Sequence, residues 1–377
     1  MMKLETLAVH AGRGVEQGSG AVTPSITPAT TFERAADGSY PHGHVYTRGS
    51  NPNRSALEEA YRVLEGASAA LAFGSGMAAT TAVLMALEAG DHVILSDDLY
   101  HGTRHVVREV MGRWGLQADF VDMRTTANVE NALRPNTRLI WAETPTNPQL
   151  RVVDIAALAQ VAGRVGARLV VDNTWATPIF QNPLALGADV VMHSATKYFG
   201  GHSDVLGGAL MTREGEDTAF VQRLRQVQHL GGGVPAPFDC WLILRSLPTL
   251  PLRVRAQTQT AGHLAAFLAQ HSRVEAVHYP GLSTHDGHQV ATRQMRGFGA
   301  MLSFEVVGGQ PTAMAVAARV KLFTRATSLG GVESLIEHRA SVEGPDSATP
   351  AGLLRVSVGL EHVDDLIEDL QQALDVR

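Results

Sequence analysis

From Ser55 to Lys197 the chain alternates short apolar runs with helix-patterned segments, and this alternation restricts the fold more than any other feature. Asp91 to Leu95, Ala118 to Asp122, Arg138 to Ala142, Arg168 to Asp172 and Asp189 to Met192 read as short buried strands, each set off by polar or turn residues. Helical patterns fall between them, as at Asp154 to Val165. Parallel strands need a long crossover, usually a helix, so the order predicts an α/β fold with a mostly parallel sheet and helices on both faces. Ligands on such sheets gather at the carboxyl ends of the strands. The residues just past those ends are therefore the ones to inspect.

The chain of 377 residues is long enough for two or three domains. Its first part is rich in Thr, Pro, Gly and Ser (VTPSITPATTF, YPHGHVYTRGSNPNR) with little periodicity, and reads as an extended arm, residues 1–58, that lies on something else. Residues 59–245 hold the alternating α/β region. After Gly231-Gly232-Gly233, a long apolar-periodic stretch from Phe238 to His271, interrupted by Pro248 and Pro251, leads into a further domain, residues 246–377. Strand-like segments at Val274 to Tyr279, Ala300 to Val307 and Leu353 to Val358, with helices at Pro311 to Val320 and His362 to Leu374, make it a smaller α+β unit.

Charge narrows the function classes. With 31 basic and 37 acidic side chains the net charge is −6, and no run of like charges marks a nucleic-acid arm or a membrane-surface patch. Nucleic acid and membranes are not expected partners. The single cysteine, Cys240, allows no internal disulfide and reads as core filler. The N-terminal run MMKLETLAVHAG lacks the pattern of a signal peptide, and no apolar run approaches the ~20 residues of a membrane span. A soluble cytoplasmic protein is expected.

The chemistry starts at Lys197. It closes the run His193-Ser194-Ala195-Thr196-Lys197, directly after an apolar strand. Two hydroxyls one and three positions before an amine suit a phosphate-bearing aldehyde held as a Schiff base, which points to pyridoxal phosphate. Asp172 ends the RLVVD strand, where a partly buried acid would keep a pyridine nitrogen protonated. Phe73-Gly74-Ser75-Gly76-Met77 leads into a helix pattern whose free amides suit a phosphate. Tyr100 follows a strand where a ring could stack on a cofactor. Read singly, each has an ordinary alternative: a surface lysine, a capping aspartate, a tight turn, a packing tyrosine. Lysine and aspartate together favour the cofactor. His101 and His105 have the spacing of a helical metal pair but lack a third ligand nearby, so no metal is expected.

Tyr46-Thr47-Arg48, Ser75-Gly76-Met77, Tyr100-His101-Gly102-Thr103, Glu143 to Pro148 (ETPTNP), Val171 to Thr174 (VDNT), Ser194 to Tyr198 (SATKY), Ser328 to Gly331 (SLGG) and Leu354 to Gly359 (LRVSVG) occur in the order found in one enzyme family. From about Thr6 to the C-terminus the chain resembles the pyridoxal-phosphate-dependent enzymes of cysteine and methionine metabolism. The resemblance implies fold-type I, the aspartate aminotransferase-like architecture with a seven-stranded sheet. It implies pyridoxal 5′-phosphate as cofactor, an amino acid as small-molecule substrate, and a homo-oligomer, usually a tetramer of two catalytic dimers.

By the same resemblance, Lys197 carries the cofactor and moves protons, Asp172 holds the ring nitrogen, and Tyr100 stacks on the ring and, as a second catalytic residue, helps to deprotonate the incoming amine. Gly76, Met77, Ser194 and Thr196 bind the phosphate, and Tyr46 and Arg48 reach the phosphate of a neighbouring subunit. Arg355 clamps the substrate α-carboxylate, with Asn147 and Ser328 supporting. Two positions depart from relatives within the family: Thr327 stands where several γ-acting members have glutamate, and Gly102 where methionine γ-lyases have cysteine. Glu337 to Ser341 (EHRAS) supplies charge near the expected substrate mouth, with no role assigned to it. The expected activity is carbon–sulfur cleavage of cystathionine or a related amino acid at Cγ or Cβ, the alternative being γ-replacement on an O-acylated homoserine. An aminotransferase, or a non-catalytic protein that kept the fold, is a more distant reading, and the complete Lys, Asp, Tyr and Arg set argues against the latter.

Overall fold

The computed structural model describes residues 2–16, 18–344 and 349–375. Its larger sheet contains β1 (Ala69–Phe73), β2 (His92–Ser96), β3 (Gln117–Val121), β4 (Thr137–Glu143), β5 (Arg168–Asp172), β6 (Val190–Ser194) and β7 (Gly208–Thr212). They lie in the order β1-β7-β6-β5-β4-β2-β3. The run from β6 to β3 is parallel, whereas β7 is antiparallel to both β6 and β1. β1, β2 and β7 are buried throughout, as a sheet covered on both faces requires. One face packs Leu57, Tyr61, Val191 and Met211, and other clusters gather Val93, Trp141 and Met192 or Ile94, Leu158 and Val171. The α/β architecture with a seven-stranded, mostly parallel sheet is as expected.

The alternation read from the sequence places β2 to β6 but passes over β1 (AALAF) and β7 (GALMT). Alanine and glycine are weak strand formers, and their burial here comes from neighbours on both sides. Gly208, which opens β7, is obligatory for packing: a Cβ there would lie 2.1 Å from the carbonyl oxygen of Ser75. β7 therefore passes directly beneath the turn that starts the helix Gly76–Met85.

The second sheet is formed by β8 (Val274–His278), β9 (Met301–Val306), β10 (Thr324–Arg325), β11 (Leu335–His338) and β12 (Leu353–Ser357), in the order β10-β11-β12-β9-β8. Its core includes Leu302, Phe304, Val356 and Leu370. The prolines act as expected. Pro237, Pro248 and Pro251 lie in the opening turns of the helix Pro237–Ser246, the short turn Leu247–Thr249 and the long helix Leu250–Ala269. Cys240 is fully buried in the first of these helices, and burial pushes its thiol up to about 12. The segment before the helix Pro52–Glu65 contains the helix Leu4–His10 and otherwise almost no regular structure. No helix among the described residues is long and apolar enough to cross a membrane.

Candidate active site

The carboxyl ends of β4, β5 and β6 open into one cavity, roofed by residues of the second sheet and its loops. Its floor is Asp172, the last residue of β5. Oδ1 of Asp172 accepts the Thr174 amide at 3.0 Å and the Thr174 hydroxyl at 2.6 Å. Burial raises the carboxyl pKa, while Thr174 and, more weakly, His193 pull it back down. Among the described residues no lysine or arginine pairs with it. Behind it, His193 Nε2 meets the buried Glu65 Oε1 at 2.5 Å, and Asn173 donates to the same oxygen at 3.2 Å.

One wall is the first turn of the helix Gly76–Met85. Ser75 caps it, its hydroxyl accepting the Ala78 amide at 3.1 Å. The amides of Gly76 and Met77 have no intrahelical acceptor and face the end of the dipole that attracts anions. A Cβ on Gly76 would lie 2.9 Å from Ser194, so glycine lets this turn close on β6. Ser194 and Thr196 line the same wall. The Thr196 hydroxyl donates to the Gly207 carbonyl at 3.2 Å and accepts its amide at 3.1 Å.

Lys197 Nζ donates to the Ser328 hydroxyl at 2.8 Å. Burial, reinforced by the Arg355 charge, lowers the amine pKa from 10.5 to about 8. Ser328 itself has φ +86°, a left-handed conformation uncommon outside glycine, so strain is held at the point where it meets the lysine. Arg355, on β12, donates to Asn147 Oδ1 at 3.1 Å, the Ser328 carbonyl at 3.0 Å and Glu337 Oε2 at 2.8 Å. The same Glu337 oxygen accepts from Arg339 at 2.8 Å, and Arg339 also pairs with Glu343 at 2.8 Å. Burial, and next the Arg339 charge, lowers the Arg355 pKa to about 10.

Of the residues expected from sequence, Gly76, Met77, Tyr100, Asn147, Asp172, Ser194, Thr196, Lys197, Ser328 and Arg355 all line this one cavity. Tyr46 and Arg48 do not. They sit on the arm, Tyr46 exposed and the Arg48 guanidinium 5.6 Å from the Tyr46 ring centroid. Tyr100 stands at the rim, and its amide donates to Glu143 Oε2 at 2.8 Å. Its ring lies across Gly102, where a Cβ would come within 2.5 Å of the ring.

Sequence reasoning assigned no role to Glu143 or to the Glu337–Arg339 pair. Glu143 ends β4 beside Asp172, fully enclosed, and burial together with the Asp172 charge raises its pKa well above the usual carboxylate range. An acid closing the apolar run RLIWA was the available signal. Glu337 and Arg339 belong to a segment whose charge was expected near the substrate mouth, but nothing in the sequence indicated that they pair with each other or with Arg355. His105 meets Glu109 at 2.6 Å, and His101 lies 3.4 Å from Arg339.

Comparison with known proteins decides the family. The model of the family described as Cys/Met metabolism PLP-dependent enzyme matches residues 5–375. The chain belongs to that family. It is 45% identical to the cystathionine gamma-lyase of Bacillus subtilis, over 99% of this chain and 100% of the relative. It is 46% identical to the cystathionine gamma-synthase of Mycobacterium tuberculosis strain H37Rv, over 98% and 96%. The structure of metB from Corynebacterium glutamicum superposes with a TM-score of 0.97 at 41% identity, covering 100% of this chain and 98% of that one.

The cofactor of this Cys/Met metabolism enzyme is pyridoxal 5′-phosphate, and the residues present fit it. The unpaired amides of Gly76 and Met77, with Ser194 beside them, match a phosphate. Asp172, buried and without a cationic partner among the described residues, matches a protonated ring nitrogen. Lys197, an amine largely withdrawn from water, matches the aldehyde carbon.

Proposed function

We propose that the protein cleaves the carbon–sulfur bond of cystathionine or a related sulfur amino acid, by elimination at Cγ or, failing that, at Cβ. The observation that carries this reading is Lys197: a buried amine with a pKa of about 8, hydrogen-bonded to Ser328 within the same network as Arg355. Bound pyridoxal phosphate supplies an electron sink for negative charge developing at the substrate α-carbon. Arg355 takes the α-carboxylate, its planar fork aligned by Asn147 and Glu337. Lys197 Nζ removes the α-proton, and its depressed pKa lets it both accept and return a proton near neutrality. Cleavage at Cγ needs a further proton taken from Cβ, and a flexible lysine stem can reach both carbons. Asp172 pairs with the ring nitrogen, and Tyr100 covers the site from the rim.

A second reading, γ-replacement joining cysteine to an O-acylated homoserine, is supported by the 46% identity to a cystathionine gamma-synthase. Thr327 lines the cavity and brings no charge to face a distal amino group, which removes one feature shared by several γ-acting relatives. Products separate the readings. The cofactor-loaded protein is incubated with cystathionine and analysed by mass spectrometry. Cysteine with 2-oxobutanoate marks γ-cleavage, and homocysteine with pyruvate marks β-cleavage. Cystathionine formed from cysteine and an acyl homoserine, with no cleavage of added cystathionine, replaces the lyase reading with the synthase one.

The proposal extends to the arm. Tyr46 and Arg48 serve the phosphate of a neighbouring subunit, so the smallest active unit is a dimer, within a tetramer. Mixing inactive Arg48→Ala and Lys197→Ala chains tests this: recovery of activity in the mixture supports shared sites, and no recovery removes the arm from the active site.

A further inference from the structure

Glu65 does not line the catalytic cavity, yet its setting is unfavourable for a carboxylate in three ways. It ends the helix Pro52–Glu65, where it meets the negative end of the helix dipole, and it is fully buried. One of its oxygens, Oε2, has no hydrogen-bond partner among the described residues. The other, Oε1, gathers two donors, His193 Nε2 at 2.5 Å and Asn173 Nδ2 at 3.2 Å. Among the described residues no lysine or arginine pairs with it. A carboxylate enclosed in this way is stabilised by a positive charge beside it, and His193 is the contacting group that can carry one. The His193 ring is itself buried and stacked on Phe199, with centroids 4.5 Å apart.

The two donors flank the floor of the cavity. Asn173 follows Asp172 and His193 precedes Ser194, so a single oxygen of Glu65 ties the carboxyl ends of β5 and β6 together. The Asn173 amide donates to the Met192 carbonyl at 3.0 Å. The Ser194 amide donates to the Thr174 hydroxyl oxygen at 2.9 Å, and that hydroxyl donates to Asp172 at 2.6 Å. On its β4 side Asp172 stands in register with Glu143, a second buried carboxyl. On its β6 side it has His193. Burial raises the Asp172 pKa, Thr174 opposes this, and the His193 charge opposes it further. Without that charge, burial and a neighbouring carboxyl would both favour a neutral Asp172.

We infer that Glu65 and His193 are positioning residues: Glu65 keeps the His193 imidazole charged, and that charge holds Asp172 ionised toward the ring nitrogen of the cofactor. The inference rests on the reading of Asp172 as the partner of that nitrogen, and is independent of which sulfur amino acid is cleaved. Neither Glu65 nor His193 lines the cavity, and both act through Asp172.

The test reads the ring nitrogen itself. Enzyme loaded with pyridoxal 5′-phosphate, isotope-labelled at that nitrogen, is examined by solid-state magnetic resonance, in which the protonated and unprotonated rings have separate signals. The cofactor dissociation constant is measured alongside. Wild type should show a protonated nitrogen, and an unprotonated one overturns the inference. Glu65→Gln keeps the size of the side chain and its acceptor oxygen but removes the charge. It should move the signal toward the unprotonated position and weaken cofactor binding about tenfold, a coupling typical of residues in one hydrogen-bonded network. His193→Gln should act in the same direction. In an Asp172→Asn background, Glu65→Gln should change neither reading further, and an additional shift there overturns the route through Asp172. A role confined to fastening β5 to β6 predicts a lower melting temperature with the wild-type nitrogen signal, and that result overturns the inference. Asp172→Asn alone separates the two readings. If it leaves signal and binding unchanged, the assignment of Asp172 has failed and the inference with it. If it alters both while Glu65→Gln and His193→Gln do not, Asp172 stands and the positioning role falls. Should neither of those two variants fold, labelled histidine in wild type decides: a His193 ring protonated on both nitrogens supports the inference, and a neutral ring overturns it.

Discussion

The floor and the roof of the catalytic cavity are built on different principles. On the floor, Asp172, Ser194 and the Gly76 turn are placed by strand ends and a helix start, and the bonds of Asp172 are to its near neighbour Thr174. On the roof, Arg355, Arg339 and Glu337 hold one another by ion pairs, and Arg355 reaches across to Asn147 in the large-sheet half. The floor is thus fixed by the fold of one sheet, the roof by charges that must find each other. A cofactor needs a cradle that stays put, whereas a substrate clamp can depend on pairing between two parts of the chain.

Replacing the floor's nucleophile should have the largest effect. Lys197→Ala is expected to lower turnover roughly a thousandfold or more, since in the proposed mechanism one group serves as both covalent anchor and base. Near-wild-type rates would break the assignment. On the roof, Arg355→Ala should cut kcat/KM about a hundredfold with Asp172 and the cradle untouched, as removal of a charged two-pronged contact predicts. Cofactor absorbance, measured in the same sample, should stay as in wild type, and its loss would mean that floor and roof are not separable. Gly102→Ala comes next. Its Cβ must displace the Tyr100 ring, so kcat should drop by roughly five- to tenfold while the melting temperature barely moves, since Tyr100 is part-exposed. An unchanged kcat would show that the ring's position is immaterial.

The smallest effect concerns protons. Burial lowers the Lys197 pKa in the fold, so between about 8 and 10.5 the unfolded chain binds a proton that the folded chain does not. Stability of the cofactor-free protein should therefore rise with pH through that window relative to Lys197→Met. The same denaturation midpoint difference at pH 7.5 and pH 10 would refute the depressed amine.

The floor was far more legible in the sequence than the roof. Asp172, Ser194 and Lys197 follow β-rich apolar runs, and strand periodicity locates them before any fold is known. Arg355 and Ser328 were found only through the family resemblance, because an arginine inside LLRVS reads equally well as an edge residue. Glu337 was expected near the substrate mouth but without a role, for a related reason: its meaning lies in two arginines that it meets through β11–β12 pairing and the start of the next helix.

Cys240 bears on the proposed chemistry from a distance. A catalyst that releases small thiols, turnover after turnover, bathes itself in reagents for thiol–disulfide exchange, and exchange needs a thiolate that can be reached. The only sulfhydryl in this chain is fully enclosed, with its pKa pushed up to about 12. The protein therefore offers the thiols that the proposed cleavage would release no partner for mixed disulfides.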